Sequence, residues 1–129
     1  MHLTGDGFAT WLKGYIAAWR SNDPHAIGRL FSEHASYSYR AGTHVVSGRD
    51  AIVAAWLEDP DDPGSWEAHY EPLAIEDQVH VAMGWSRYLR EDGSLRDEFS
   101  NIFVCRFDDG GQCSELTEWW MRVGPPAEP

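Results

Sequence analysis

Residues Phe103–Trp120 read FVCRFDDGGQCSELTEWW, and the way this stretch pairs with itself decides the fold. Two runs rich in strand-forming residues flank Asp109-Gly110, a strong short-range hairpin signal. With Asp109-Gly110 as a two-residue turn, Phe103 faces Leu116, Asn101 faces Glu118 and Phe99 faces Trp120, all on one side of a sheet. The second run does not alternate cleanly, because each of its faces carries a Glu and a Trp. Glu118 and Trp120 share a side with Phe103 and Leu116. Glu115, Thr117, Trp119 and Met121 take the other, beside Ile102 and Val104. That other face is too apolar to be left wet. A bulge would shift the register by one and exchange the faces.

Working outward, further strands are expected at Trp66–Ile75, Val79–Arg90, Glu98–Phe107 and Gln112–Arg122, with turns at EDGS and DDGG. Ahead of them, Phe8, Trp11, Leu12, Tyr15, Ile16 and Trp19 recur at helical spacing from Asp6 to Ser21. Asp23 reads as an N-cap with Pro24 in the first helical position of a second, short helix. ASYSYR alternates as a strand, AG turns it and HVVSG returns. Ser47 or Gly48 then caps a third helix, RDAIVAAWLED. Helices followed by a meander of long strands predict an α+β domain, with helices on one face of a curved antiparallel sheet.

The chain has 129 residues, 43% of them hydrophobic and 13% aromatic, enough to bury a core in one domain over 1–122. VGPPAEP, 123–129, reads as a frayed tail. A formal net charge of −11 argues against nucleic acid and against an anionic membrane surface. No run of 18 apolar residues and no basic n-region with an apolar h-region occurs, so a cytoplasmic protein is expected. Cys105 and Cys113 read as reduced thiols on neighbouring strands. The six histidines form no H-x-H or H-E-x-x-H pair, so neither a metal nor another cofactor is expected. EDPDDPGSWEAHY superficially resembles a calcium loop, but its twelfth position is Tyr70, where a bidentate Glu is required. It reads as a solvated acidic loop.

The strings YIAAWRSNDPHAIGRLFSEHASYSY, SGRDAIVAAW and FVCRFDDGGQCSELTEWW, in this order and spacing, resemble the SnoaL-like members of the nuclear transport factor 2-like superfamily. The resemblance implies a cone: a strongly bent sheet closed by three helices around one apolar pocket, with Phe103, Leu116 and Trp120 turned inward. It also implies a homodimer formed through the convex face. Activities in the superfamily range from isomerases, dehydratases and cyclases without cofactors to non-catalytic modules that bind a ligand or dimerise, so fold alone does not assign one. Laid on the ketosteroid isomerase template, Tyr15 matches the helix tyrosine that donates to the oxyanion. Tyr39 stands where that template has its general-base Asp, and Phe103 where it has its protonated Asp. These departures argue against steroid isomerisation by that mechanism.

Glu118 is the leading candidate for chemistry. A carboxylate in an apolar, aromatic cavity has its charged form disfavoured, which raises its pKa by about 1–3, and such a group can act as acid or base near neutral pH. Asn101 would orient it, or Arg87 would pair with it at the pocket mouth. The competing reading is a structural ion pair. Tyr15 and Tyr39 are candidate proton donors to a ligand oxygen. Trp19, Tyr37, Trp56, Trp85, Arg87, Asn101, Phe103, Leu116 and Trp120 are candidate lining residues for a hydrophobic small molecule.

Overall fold

A computed structural model describes residues 3–39 and 42–124. The predicted strand residue Arg40, the turn residue Ala41 and the tail from residue 125 onward lie outside the described residues. The three predicted helices are α1 (Gly5–Ser21), α2 (Pro24–Gly28) and α3 (Arg49–Trp56). The Thr4 side chain caps α1 by accepting from the Gly7 amide at 3.1 Å. Asn22 ends the helix in the left-handed region, with φ 54°. Asp23 caps α2 by accepting from the His25 amide, with Pro24 in the first turn as predicted. Gly48, not Ser47, is the N-cap of α3, and its φ of 96° suits glycine. This helix stops at Trp56, three residues before its predicted end.

Among the described residues, six strands form one sheet in the order β2-β1-β6-β5-β4-β3. They are β1 (Phe31–Ser38), β2 (Val45–Ser47), β3 (Trp66–Glu76), β4 (Val79–Leu89), β5 (Leu95–Phe107) and β6 (Cys113–Arg122). The expected antiparallel meander is β3 to β6. The β1–β6 pair is parallel, with Tyr37 beside Leu116, so the sheet as a whole is mixed. No local turn signal could announce this pair, because its strands are separated by most of the chain.

The β5–β6 register slips by two residues from the predicted one. Phe103 lies opposite Glu118, Asn101 opposite Trp120 and Phe99 opposite Arg122, while Leu116 faces Cys105. The cause is a longer connection than two residues. The Asp108 side chain accepts from the Gly110 and Gln112 amides, Gly111 takes φ +81°, and a bulge follows Arg106. A slip of two preserves parity, so every predicted face assignment in this hairpin survives.

The sheet curls around α1. Phe8 and Trp11 meet Phe107 edge-on at 5.6 and 5.2 Å, and Tyr15 meets Phe103 at 5.3 Å. Leu116, Cys105, Phe31 and Ile27 complete a core on the concave face. Gly84 sits opposite Tyr70, where β3 approaches so closely that a Cβ would lie 1.9 Å from the His69 carbonyl oxygen. The bend of β3 over β4 therefore depends on a missing side chain. Cys105 and Cys113 are buried, unbridged, on adjacent strands, and burial pushes the Cys105 thiol up.

Candidate functional site

The concave face opens between α1, α3 and the central strands into a cavity of about 210 Å³. α1 contributes Tyr15 and Trp19, one turn apart on its aromatic stripe. The end of β1 contributes Tyr37, the residue just after the strand is Tyr39, and their rings stack at 4.0 Å. Trp56 comes from α3, Tyr70 from β3, Tyr88 from β4 and Glu118 from β6. Asp61 closes the rim. It accepts from the Trp19 indole N–H at 3.0 Å, and its carbonyl accepts from Asn22 at 3.3 Å. The acidic loop predicted to be solvated thus folds over the cavity at this residue. Here an aromatic N–H needing an acceptor outweighs the preference of a carboxylate for water.

Glu118 is held from two sides. Asn101, only 3% exposed, donates to Oε2 at 3.1 Å, and the Tyr37 hydroxyl donates to Oε1 at 3.4 Å. The Ser86 hydroxyl donates to Asn101 Oδ1 at 3.0 Å, which fixes the amide so that its N–H₂ faces the carboxylate. The Tyr15 and Tyr37 hydroxyls lie 2.7 Å apart. Since Tyr37 gives its proton to Glu118, Tyr15 must donate to Tyr37, and the chain of donors runs inward to the carboxylate. The Tyr39 hydroxyl is buried and has no hydrogen-bond partner among the described residues, so its proton is unspent there.

Burial pushes the Glu118 pKa up from 4.5 to about 7, and the Asn101 and Tyr37 hydrogen bonds limit the rise. Burial, and then the nearby Glu118 charge, hold the Tyr15 and Tyr70 hydroxyls well above the usual 10. The same two causes push Tyr39 up to about 12. These phenols stay protonated and can only donate or accept hydrogen bonds near neutral pH.

Among the predicted site residues, Tyr15, Trp19, Tyr37, Tyr39, Trp56 and Glu118 converge on one cavity. Asn101 stands behind Glu118, while Phe103 and Leu116 are core residues beneath the tyrosines. Trp120 lines an adjoining cleft of about 290 Å³ with Tyr88, Phe99 and Asn101, and it remains 41% exposed. Its indole donates to the Tyr39 carbonyl at 3.3 Å. Trp85 and Arg87 do not belong to the site. In β4, His80, Ala82 and Ser86 are the buried residues, so the odd positions face outward. Arg87 pairs with Glu98 and lies 4.0 Å over the Trp85 ring, and it makes no ion pair with Glu118. The difference has a physical source: Val81, Met83 and Trp85 give the odd positions of β4 an apolar parity that reads as inward, but Gly84 and Ser86 sit inward because the bend has no room for more. Tyr88 and Ser86, both in β4, were missed for the same reason, and Tyr70 in β3 was missed as well. The parity of Trp66, Ala68 and Tyr70 in β3 was the available signal.

The family model for a SnoaL-like domain matches residues 12–116. The chain belongs to the SnoaL-like family. A crystal structure of an NTF2-like protein of unknown function from Cytophaga hutchinsonii superposes with a TM-score of 0.60 at 16% identity. It covers 88% of this chain and 98% of that one. At that identity the likeness establishes the fold, an NTF2-like cone, and not an activity. No curated protein matches the sequence. Among the described residues, no group of three or more His, Cys, Asp or Glu side chains gathers to hold a metal ion, and no helix is long and apolar enough to cross a membrane.

Proposed function

We propose that this SnoaL-like protein is a cofactor-independent acid/base enzyme acting on a small, hydrophobic, oxygenated substrate by isomerisation, dehydration or cyclisation. The observation that carries the reading is a carboxyl poised near pH 7 in a tyrosine-lined cavity, beside a buried phenol hydroxyl with no partner among the described residues. Glu118 takes a proton from a carbon next to a carbonyl group and returns it elsewhere on the same molecule. The Tyr39 hydroxyl donates to the carbonyl oxygen as negative charge develops there. Tyr15 acts through Tyr37, whose proton it replaces, and Asn101 holds the carboxylate in plane. A cavity of about 210 Å³ has room for about seven waters' worth of ligand, which limits the substrate to roughly one ring. The paired Asn101 and Tyr37 contacts also fit a non-catalytic ligand-binding module, in which Glu118 only recognises a donor.

Proton–deuterium exchange separates the two. The protein is incubated in D₂O with a panel of monocyclic ketones and enones, and loss of the α-proton signal is followed by NMR. The enzyme reading expects exchange above the buffer rate, lost in Glu118→Gln and weakened in Tyr39→Phe. Exchange that persists in Glu118→Gln, or saturable ligand shifts without any exchange, would favour the binding module.

The chain also pairs with a second copy of itself through the convex face, in a reducing, cytoplasmic setting that keeps Cys105 and Cys113 as thiols. Trp119 (48% exposed), Met121 (74%) and Met83 (39%) share that face with Ile102 and Val104. A two-fold axis covers one such patch with itself. Light scattering is expected to give a dimer that dissociates in Trp119→Glu. A monomer in the unmutated protein at high micromolar concentration would end the claim.

A further inference from the structure

Away from the tyrosine cavity, α2, α3 and Gln112, the residue before β6, enclose an open cleft of about 440 Å³. Its walls carry His25 and Arg29 from the α2 end, Arg49 and Asp50 from α3, and Gln112. In a chain of net charge −11 with 21 acidic residues, two arginines and a histidine sharing one cleft stand out. Arg87, Arg96, Arg106 and Arg122 each pair with a carboxylate. Among the described residues, Arg20, Arg29, Arg49 and Arg90 form no such pair; Arg20 lies over the Trp66 ring and Arg90 donates to the Leu95 carbonyl, whereas Arg29 and Arg49 share one cleft.

Arg49 is nevertheless held firmly. Its Nε donates to the Phe31 carbonyl at 2.9 Å and its Nη2 to Gln112 Oε1 at 3.4 Å. Its stem runs along the site of the missing Gly28 side chain, with Cδ 3.7 Å from where a Cβ would stand. Gln112 in turn donates from Nε2 to the Arg29 carbonyl at 3.3 Å, which ties the α2 end to the same cluster. The fork is thus positioned by neutral acceptors, which leave its charge uncompensated and its remaining N–H bonds unspent. Arg29 is exposed, and no hydrogen bond or ion pair engages its guanidinium among the described residues. The His25 ring presents an N–H in either charge state. Among the described residues, Asp50 is the one carboxylate lining this cleft, also exposed, and it offsets one of the two guanidinium charges.

We infer that this cleft is an anion-binding site for a small molecule bearing a phosphate-type dianion, held by Arg49 as the fixed fork with Arg29 and His25 closing on it. A dianion is favoured over a carboxylate because its attraction to a fixed cation is doubled, and its several oxygens can be met from both α2 and α3 at once. The site shares no lining residue with the Glu118 cavity, so it stands whatever that cavity does.

The test is an amide NMR titration of the full-length protein with inorganic phosphate, at constant ionic strength set by sodium chloride. Saturable shifts are expected at residues 24–29, 49–53 and 112, with a dissociation constant in the low millimolar range or below, and at least tenfold weaker binding of acetate. Arg29→Gln should weaken phosphate by roughly fivefold or more. It touches no hydrogen bond of the fold, so this arm remains informative even if Arg49→Gln destabilises the chain. Arg49→Gln should abolish binding. Asp50→Asn should tighten it by roughly two- to fivefold, the scale of one exposed charge interaction. Shifts that never saturate, acetate binding as well as phosphate, or phosphate affinity unchanged in Arg29→Gln would each overturn the proposal.

Discussion

Replacing Glu118 by Gln should stabilise the protein, and increasingly so as the pH rises. The carboxyl is pushed up to about 7 in the folded state from an ordinary 4.5. Each pKa unit corresponds to about 1.4 kcal/mol, so ionising Glu118 in its cavity costs about 3 kcal/mol of stability. The sign follows from proton counting. Between the two pKa values the folded protein binds more protons at this site than the unfolded chain, so stability falls as pH rises. The contribution is fully present below about pH 4.5 and is lost by the time pH has passed 7. Roughly 1 kcal/mol of it is already gone at pH 5.5, which leaves about 2 kcal/mol to be lost between pH 5.5 and 8.5. In Glu118→Gln the new amide does not titrate and keeps the geometry, since its carbonyl can accept from Asn101 and its N–H can be given to Tyr37. Urea denaturation of both proteins at pH 5.5, 7 and 8.5 is the assay. The stability of Glu118→Gln minus that of the unmutated protein should grow by about 2 kcal/mol across this range, or roughly 6–10 °C in Tm. Every other titrating group cancels in the difference. A difference that stays constant to within about 0.5 kcal/mol would refute the argument, because it would mean that the folded protein holds the carboxylate as readily as water does.

Other outcomes follow from the same contacts. Asn101→Leu removes one of the two hydrogen bonds that hold the Glu118 pKa down, so the carboxyl should titrate above 7 by carbon-13 NMR. Stability should fall by about 1–3 kcal/mol, because the Ser86 hydroxyl loses its acceptor. A carboxyl that titrates where it did before would show that Asn101 does not orient it. Gly84→Ala forces a methyl group to within 1.9 Å of the His69 carbonyl oxygen, and it should cost about 3 kcal/mol or more, or prevent folding. Thermal unfolding checks this, and a loss below about 1 kcal/mol would mean that the β3–β4 bend has slack the geometry does not show.

Period and parity made much of this protein legible in its sequence. The stripe Trp11-Tyr15-Trp19 could only be the buried face of a helix. Asp23-Pro24 marks the start of α2 by its own backbone chemistry. The hairpin register grouped Glu118, Asn101 and Phe103 on one face and the family resemblance turned that face inward, a grouping that holds even though the loop shifted their partners by two, since strand faces depend on parity alone. Tertiary structure decided the rest. The parallel seating of β1 on β6 brings Tyr37 to Glu118 across 81 residues of chain, a contact that no local pattern encodes. The inward parity of β4 was set by the close approach of β3 at Gly84, which turned Trp85 and Arg87 outward and brought Ser86 and Tyr88 in. Asp61, in a loop with every compositional mark of a solvated one, was drawn to the Trp19 indole. Backbone periodicity is a local property that each segment carries in its own residues. Which strand meets which, and which donor finds which acceptor, depends on distances that exist only once the sheet has curled.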